Sequence, residues 1–152
     1  MGDVADVYRA PMRSRSNTID PRATSERARR LGLCGFGQLA ANPAEEERLA
    51  RRVDRFAAAA DGSFVWTRDP DELFWLGRLD GPYFRDDDDG AVAVDLVHVR
   101  RCTWLPEPLL EPEVPGAVVA TFRRGGRNFQ QTHHQSVGRQ TQQLWDGRRP
   151  GS

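Results

Sequence analysis

Apolar and polar residues alternate most clearly in the middle of the chain, over residues 63–83. Residues 64–67 and 73–79 are two short runs rich in aromatic and β-branched side chains. Between them, residues 68–72 combine Pro70 with two aspartates, which is typical of a turn. The pattern therefore predicts a β-hairpin that carries Trp66 and Trp75 at the spacing of a half-buried strand.

Two helices are predicted before this hairpin. The first covers residues 21–31, with Asp20 as its N-cap, Thr24 or Ser25 as alternative caps, and Gly32 as its end. The second covers residues 43–60 and is capped by Asn42. Its apolar positions follow the spacing of a single helix face: Leu49, Val53 and Phe56.

The remaining segments are mostly short strands and loops. Short strands are predicted over residues 7–10, 33–36, 92–99, 100–105 and 128–133, with an interruption near Asp95. Residues 84–90 are expected to form an acidic loop and residues 106–115 a proline-rich crossing loop. Residues 116–123 fit a strand or a helix, and a helical turn over 114–122 is favoured. A polar helix is expected over 135–145, followed by a frayed tail at 148–152.

Strands dominate the middle without the strand–helix alternation of a parallel α/β fold. This order predicts an α+β protein, a small and mostly antiparallel β-barrel with two or three flanking helices. The barrel domain is expected to span residues 1–134, and residues 135–152 to form a polar C-terminal helix and tail.

Charge is balanced overall but unevenly distributed. All 22 basic residues are arginine, against 22 acidic residues, so a strongly basic protein of the histone type is excluded. Six arginines and one acid lie between residues 123 and 152, whereas six aspartates and one arginine lie between 80 and 95. One end of the molecule is therefore suited to phosphate groups and the other would repel them.

Motifs for catalysis, metals and membranes are missing. The three histidines with Cys34 and Cys102 lack zinc-site spacing, and the aspartates at 86–89 lack the pattern of a calcium loop. The two cysteines are expected to be buried free thiols in a reducing cytoplasm. No nuclease, hydrolase or phosphate-loop motif is found. We expect a cytoplasmic, non-enzymatic protein without metal, cofactor or membrane contact.

Four short motifs carry a family resemblance: R-L-G-L-C-G-F-G (30–37), F-V-W (64–66), F-W-L-G-R-L-D-G-P-Y (74–83) and H-V-R-R-C-T-W-L (98–105). Over roughly residues 8–133 the chain resembles the EVE-like branch of the PUA-like superfamily, found at the N-termini of modification-dependent restriction endonucleases. The resemblance implies a PUA-like barrel that binds DNA with a modified, flipped-out base. It also implies a sensor role in restriction or anti-phage defence, with an effector nuclease in another chain or region.

The resemblance, with the charge pattern, suggests site residues. The implied base pocket comprises Ser14, Ser16, Asn17, Phe36, Trp66 and Trp104. The expected phosphate contacts are Arg13, Arg15, Arg123, Arg124 and Arg127. Phe36 precedes Gly37 and Gln38 here, where relatives have the form G-x-G-W. Each aromatic residue could instead be core, and Asn17 a turn residue. The alternative function is a non-catalytic barrel that binds a small nucleotide-like ligand, RNA or a protein partner.

Overall fold

The computed structural model describes residues 4–149. Within them the chain forms seven strands, five α-helices and one 3-10 turn, Glu111–Glu113. The strands are β1 (Val7–Arg9), β2 (Leu33–Phe36), β3 (Phe64–Arg68), β4 (Phe74–Leu79), β5 (Phe84–Arg85), β6 (His98–Trp104) and β7 (Gln130–Gln131). The helices are α1 (Pro21–Leu31), α2 (Pro43–Ala58), α3 (Asp89–Ala93), α4 (Gly116–Arg123) and α5 (Val137–Arg148).

All seven strands belong to one curled sheet that forms a half-barrel. Its order is β2-β6-β4-β3-β1-β7, and β5 also pairs with β6. The pairing is antiparallel except between β1 and β3, where Val7 lies opposite Phe64. The predicted α+β class and the mostly antiparallel pairing are confirmed. The sheet carries five helices rather than the two or three that were expected.

Helices α1 and α2 begin where the sequence predicted. Asp20 accepts a hydrogen bond from the backbone N–H of Arg22, and Gly32 ends α1 in the left-handed conformation at φ 65°. The side chain of Asn42 accepts from the N–H of Glu45, with Pro43 in the first turn. These local contacts explain why both starting points could be read from the sequence.

Side chains from the two faces of the sheet form two separate apolar clusters. One contains Phe36, Phe56 and Phe129 and receives residues from α1 and α2. The other contains Phe64 and Trp66 and is covered by α4 and α5. Alternate residues of β3 therefore enter different clusters, which is the expected consequence of strand geometry.

Helix α5 packs against the sheet rather than extending from it. The ring of Trp145 lies 5.8 Å from that of Phe64, and Thr141 is fully buried. The division into a domain at 1–134 and a separate helix and tail at 135–152 stays a prediction, and the last three residues of that tail lie outside the described part of the chain.

The strand predicted over residues 92–99 is wrong over its first six residues. Asp88 caps a helix there, accepting from the N–H of Gly90 at 2.9 Å, so α3 occupies Asp89–Ala93. Asp95 then turns the chain with φ at 52°, and the strand begins only at His98. An aspartate that caps a helix thus overrides the strand preference of the valines that follow it.

Two smaller boundaries also differ, and the favoured helix is found in a third segment. The loop expected over 84–90 contains the two-residue strand β5 and the start of α3. The strand expected over 128–133 is reduced to Gln130–Gln131, because Phe129 enters the core and stacks on Tyr8 with ring centroids 4.8 Å apart. The segment 116–123, which fitted a strand or a helix, is the helix α4.

Candidate nucleic-acid interface

A small hollow opens between the loop after β1, the end of β2 and helix α2. We call it the Phe36 hollow; it is lined by Arg13, Ser14, Arg15, Phe36, Gly37, Leu39, Arg52, Asp95 and Arg127. Its volume is about 20 Å³, room for roughly one water molecule. Two of the residues expected in a base pocket, Ser14 and Phe36, therefore come together, but in a closed arrangement.

Asp95 closes this hollow by holding two loops together. The hydroxyl of Ser14 donates to one carboxylate oxygen of Asp95 at 2.6 Å. The backbone N–H of Gln38 donates to the other at 3.0 Å. Gly37 packs so closely that a Cβ atom there would lie 2.1 Å from this carboxylate. Both carboxylate oxygens are thus occupied, and opening the hollow requires Asp95 to move.

Arg52 is the least expected residue of the hollow. Its side chain comes from the middle of α2, is 9% exposed, and places its guanidinium 6.0 Å from the centroid of the Phe36 ring. Within residues 4–149 it has no hydrogen-bond or ion-pair partner. Burial, together with the charges of Arg15, Arg55 and Arg48, lowers the pKa of Arg52. These arginine neighbours favour an anion near Arg52, and the acid that lines the hollow, Asp95, is held by Ser14 and Gln38.

The two predicted pocket tryptophans lie elsewhere. Trp66 is fully buried in the cluster under α4 and α5, and its Nε1 donates to Thr141 at 3.2 Å. Trp104 is half-buried, and its Nε1 donates to the carbonyl of Leu33 at 3.0 Å. Trp66 therefore does not converge with Phe36 on one concavity, and both indoles already have hydrogen-bond acceptors within the fold.

The predicted polar pocket residues Ser16 and Asn17 lie outside the hollow. Ser16 exchanges hydrogen bonds with Thr18 within its own loop, and its backbone N–H donates to the hydroxyl of Ser14. Asn17 is exposed on the same loop. They shape the segment that borders the hollow but do not face into it.

The predicted phosphate contacts divide into two kinds. Arg123 forms an ion pair with Glu111, so its charge is already neutralised. Arg13, Arg124 and Arg127 are exposed, and none has an acidic partner among the residues described. Arg15 donates only to the neutral side-chain oxygen of Asn128, at 3.3 Å. The loop after β1 and the loop after α4 therefore present free positive charge side by side.

A larger cleft adjoins the hollow and shares Arg13 and Arg127 with it. We call it the Arg68 cleft; its volume is about 500 Å³. It is lined by Arg9, Pro11, Arg13, Pro21, Ser25, Arg68, Asp69, Pro70, Glu72, Phe122, Gly125, Gly126 and Arg127. It is thus bounded by the start of α1, the β3–β4 turn and the loop after α4.

Arg9 supports one wall of this cleft. It donates to the carbonyls of Thr121, Gly125 and Gly126 at 2.7, 2.9 and 3.0 Å. All three acceptors are neutral, and its buried Nε has no partner in the described structure. Burial and the nearby charges of two arginines lower the pKa of Arg9.

Strand alternation explains why Arg9 and Arg68 meet. Val7 and Arg9 alternate with Tyr8 on β1, and Trp66 and Arg68 alternate with Thr67 on β3. Arg9 lies opposite Trp66 in the parallel pair. Arg9 and Arg68 therefore lie on the same face of the sheet as Val7 and Trp66, and at the same end of the two strands.

The sequence contained a signal for Arg52 that the prediction missed. Arg48, Arg52 and Arg55 repeat at the i, i+4, i+7 spacing of one helix face. The surroundings of that face could not be read from the sequence, because they depend on the loop after β1 folding against α2.

Within the described part of the chain, no three histidine, cysteine or acidic side chains converge in a way that could hold a metal ion. Over the same residues, every helix is too short or too polar to cross a membrane.

Comparisons with known proteins identify no family. No protein-family model matches the chain, and no curated protein does. Among solved structures, it is similar to the YTH domain of the Zygosaccharomyces rouxii MRB1 protein in complex with N6-methyladenosine RNA. That match has a TM-score of 0.49 and 10% identity over 94% of this chain and 88% of the other. It is also similar to protein Atu2648 from Agrobacterium tumefaciens, with a TM-score of 0.39 and 12% identity over 91% and 92%. With both TM-scores below 0.5, the function has to be argued from this chain's own side chains.

Proposed function

We propose that this protein is a nucleic-acid-binding module whose arginine-rich face holds the phosphate backbone. The observation that carries the proposal is Arg52, which is 9% exposed, lies beside Phe36 and has no hydrogen-bond or ion-pair partner within residues 4–149. Arg13, Arg15 and Arg127 line the same hollow. Keeping four like charges together is unfavourable in the free protein, and a bound polyanion relieves their repulsion.

At a finer level, the module recognises a modified, flipped-out base in DNA. The motifs shared with EVE-like domains and the aromatic floor of the hollow support this assignment. Flipping a base costs a few kcal/mol, and stacking on an aromatic ring returns about 1–3 kcal/mol. Entry of a base into the Phe36 hollow requires release of Asp95 from Ser14 and Gln38, since the closed volume is too small.

The biological role we propose is that of a non-catalytic sensor in a restriction or anti-phage defence system. The module would mark modified DNA for an effector nuclease in another chain or region. This role is supported by the resemblance to the N-terminal domains of modification-dependent restriction endonucleases.

Salt dependence tests the electrostatic part. Contact of four arginines with four phosphates of a duplex gives a slope of log affinity against log salt of about −3.6. The affinity then falls roughly 150-fold between about 50 and about 200 mM salt. Fluorescence anisotropy of a labelled duplex measures this slope, and Arg52→Gln should reduce its magnitude to about 2.7.

Arg123→Gln is the matched control, because that arginine is paired with Glu111. It should leave the slope close to the wild-type value. Equal effects of Arg52→Gln and Arg123→Gln would contradict the assignment of Arg52 to the interface.

Base specificity needs a separate comparison. Duplexes carrying N6-methyladenine or 5-methylcytosine are compared with the unmodified duplex and with RNA of the same sequence. Tighter binding of one modified duplex supports the reader function. Equal affinity for every duplex and for RNA leaves a nonspecific binder and refutes the modified-base assignment.

A further inference from the structure

The Arg68 cleft has the volume of a ligand site, whereas the Phe36 hollow does not. At about 500 Å³ the cleft falls in the range of roughly 300–1,000 Å³ that small-molecule sites occupy. The hollow beside it holds about 20 Å³. A nucleotide that approaches this face therefore meets one opening that already accommodates it and one that is closed.

The charges of the cleft favour an anionic group. Four arginines line it, namely Arg9, Arg13, Arg68 and Arg127, and the only acids are Asp69 and Glu72. Asp69 is turned inward: its carboxylate accepts from the backbone N–H groups of residues 71 and 73 and from the indole of Trp75. Glu72 is exposed at the β3–β4 turn. Neither carboxylate forms an ion pair with these arginines in the described part of the chain, and four cations against two anions leave the cleft with a net positive charge.

Among these four arginines, Arg68 is an unpaired cation that lines the cleft but not the hollow. Its side chain has no hydrogen bond or ion pair with any residue between 4 and 149, and it does not line the Phe36 hollow. Arg9 provides a second, independent sign of an anion site. It is 4% exposed, and every oxygen that accepts from it is neutral.

The other walls suit a flat ring. Pro11, Pro21 and Pro70 supply rigid apolar surface, and Phe122 lies beneath Arg9 with its ring centroid 5.1 Å from the guanidinium carbon. A planar guanidinium stacks on a base as well as pairing with a phosphate, so Arg68 is suited to either part of a nucleotide.

We propose that the Arg68 cleft binds a single nucleotide, with its phosphate on the arginines and its base against the proline walls. This proposal rests on the proposed function, because the nucleotide in the cleft belongs to the bound strand. Its neighbour in that strand lies at the Phe36 hollow. The shared Arg13 and Arg127 then hold the phosphates between the two positions. A free nucleoside monophosphate provides the same chemistry.

Calorimetric titration of the full chain with AMP, CMP, adenosine and inorganic phosphate tests the proposal. We expect the monophosphates to bind about tenfold more tightly than adenosine or phosphate, since each part contributes. Arg68→Gln should weaken binding of the monophosphates by about tenfold, whereas Arg123→Gln, which lies outside both openings and is paired with Glu111, should leave it unchanged. Circular dichroism checks that both variants are folded.

Each result decides between the two proposals. A protein that binds duplex but no nucleoside monophosphate overturns the cleft assignment and leaves the proposed function intact. Binding of monophosphates that depends on Arg68, without duplex binding, supports the cleft and refutes the strand-binding function. Equal binding by wild type and Arg68→Gln overturns the cleft assignment, as does equal affinity for phosphate and AMP.

Discussion

Replacing Arg52 by methionine should make the protein more stable while weakening its binding of nucleic acid. Arg52 is 9% exposed, its guanidinium has no hydrogen bond or ion pair within residues 4–149, and it lies among other arginines. Methionine keeps an unbranched apolar stem against Phe36 and removes the buried charge. Such opposite effects on stability and binding are the signature of a residue retained for function.

The size of the gain follows from what is removed. Substitutions that relieve an unfavourable functional site commonly stabilise by about 0.5–2 kcal/mol, and we expect about 1 kcal/mol here. In a chain of this length, that corresponds to an increase in Tm of roughly 3 °C. The pKa of Arg52, lowered first by burial and then by its arginine neighbours, points the same way: the folded state disfavours the charged form.

Arg100→Met is the matched control. Arg100 is 2% exposed, but it donates to the carbonyls of Phe56, Ala59 and Gly81 and pairs with Asp61 at 2.8 Å. Removing it leaves buried carbonyls without donors, which should cost about 3–5 kcal/mol. Urea unfolding and thermal melts of both variants, with duplex binding by anisotropy, measure the contrast. A loss of 1 kcal/mol or more in Arg52→Met would refute the reasoning, because it would mean that Arg52 is structurally satisfied.

Three further predictions address the fold. Trp66→Phe should lower the free energy of unfolding in urea by about 1 kcal/mol, because the hydrogen bond from the indole to α5 is lost. Duplex binding should be unchanged, and weakened binding would show that Trp66 belongs to the binding site. Gly37→Ala should destabilise the protein by about 1–3 kcal/mol, because its Cβ would overlap Asp95. Gly116→Ala, whose Cβ would have nothing within 4 Å, should be close to neutral, and equal Tm values of the two variants would contradict this. Burial raises the pKa of the Cys34 thiol to about 12. At pH about 8 this thiol should therefore react with a thiol reagent only after urea is added. Rapid labelling of the folded protein would contradict this prediction.

The elements best predicted from the sequence are those fixed by neighbouring residues. Asp20 and Asn42 cap their own helices, and the hairpin turn around Pro70 is set by its own composition. The strand expected over 92–99 failed for a related reason. Asp88 caps α3 and Asp95 turns the chain after it, at the predicted interruption, and these local backbone effects outweigh the strand preference of the valines.

The candidate site was harder to predict, because residue type does not tell which face of a strand is covered. Both faces of β3 are buried, so Trp66 was as compatible with core as with a pocket, and its position under α5 depends on a helix much later in the chain. Phe36 and Ser14 were placed together through the resemblance. Arg52 and Arg68 were missed because the lack of a hydrogen-bond or ion-pair partner within residues 4–149 is a property of the folded molecule and not of residue type.

The position of β1 has a consequence for how the chain folds. This strand is synthesised first, yet it lies between β3 and β7, with Val7 opposite Phe64 and Tyr8 opposite Gln131. Such long-range pairing raises contact order and slows folding, and a nascent chain cannot complete the sheet until residue 131 has emerged. The hydrogen bonds from Arg9 to the carbonyls of Gly125 and Gly126 join residues 116 and 117 positions apart, so the face that we propose binds nucleic acid depends on the same long-range contacts.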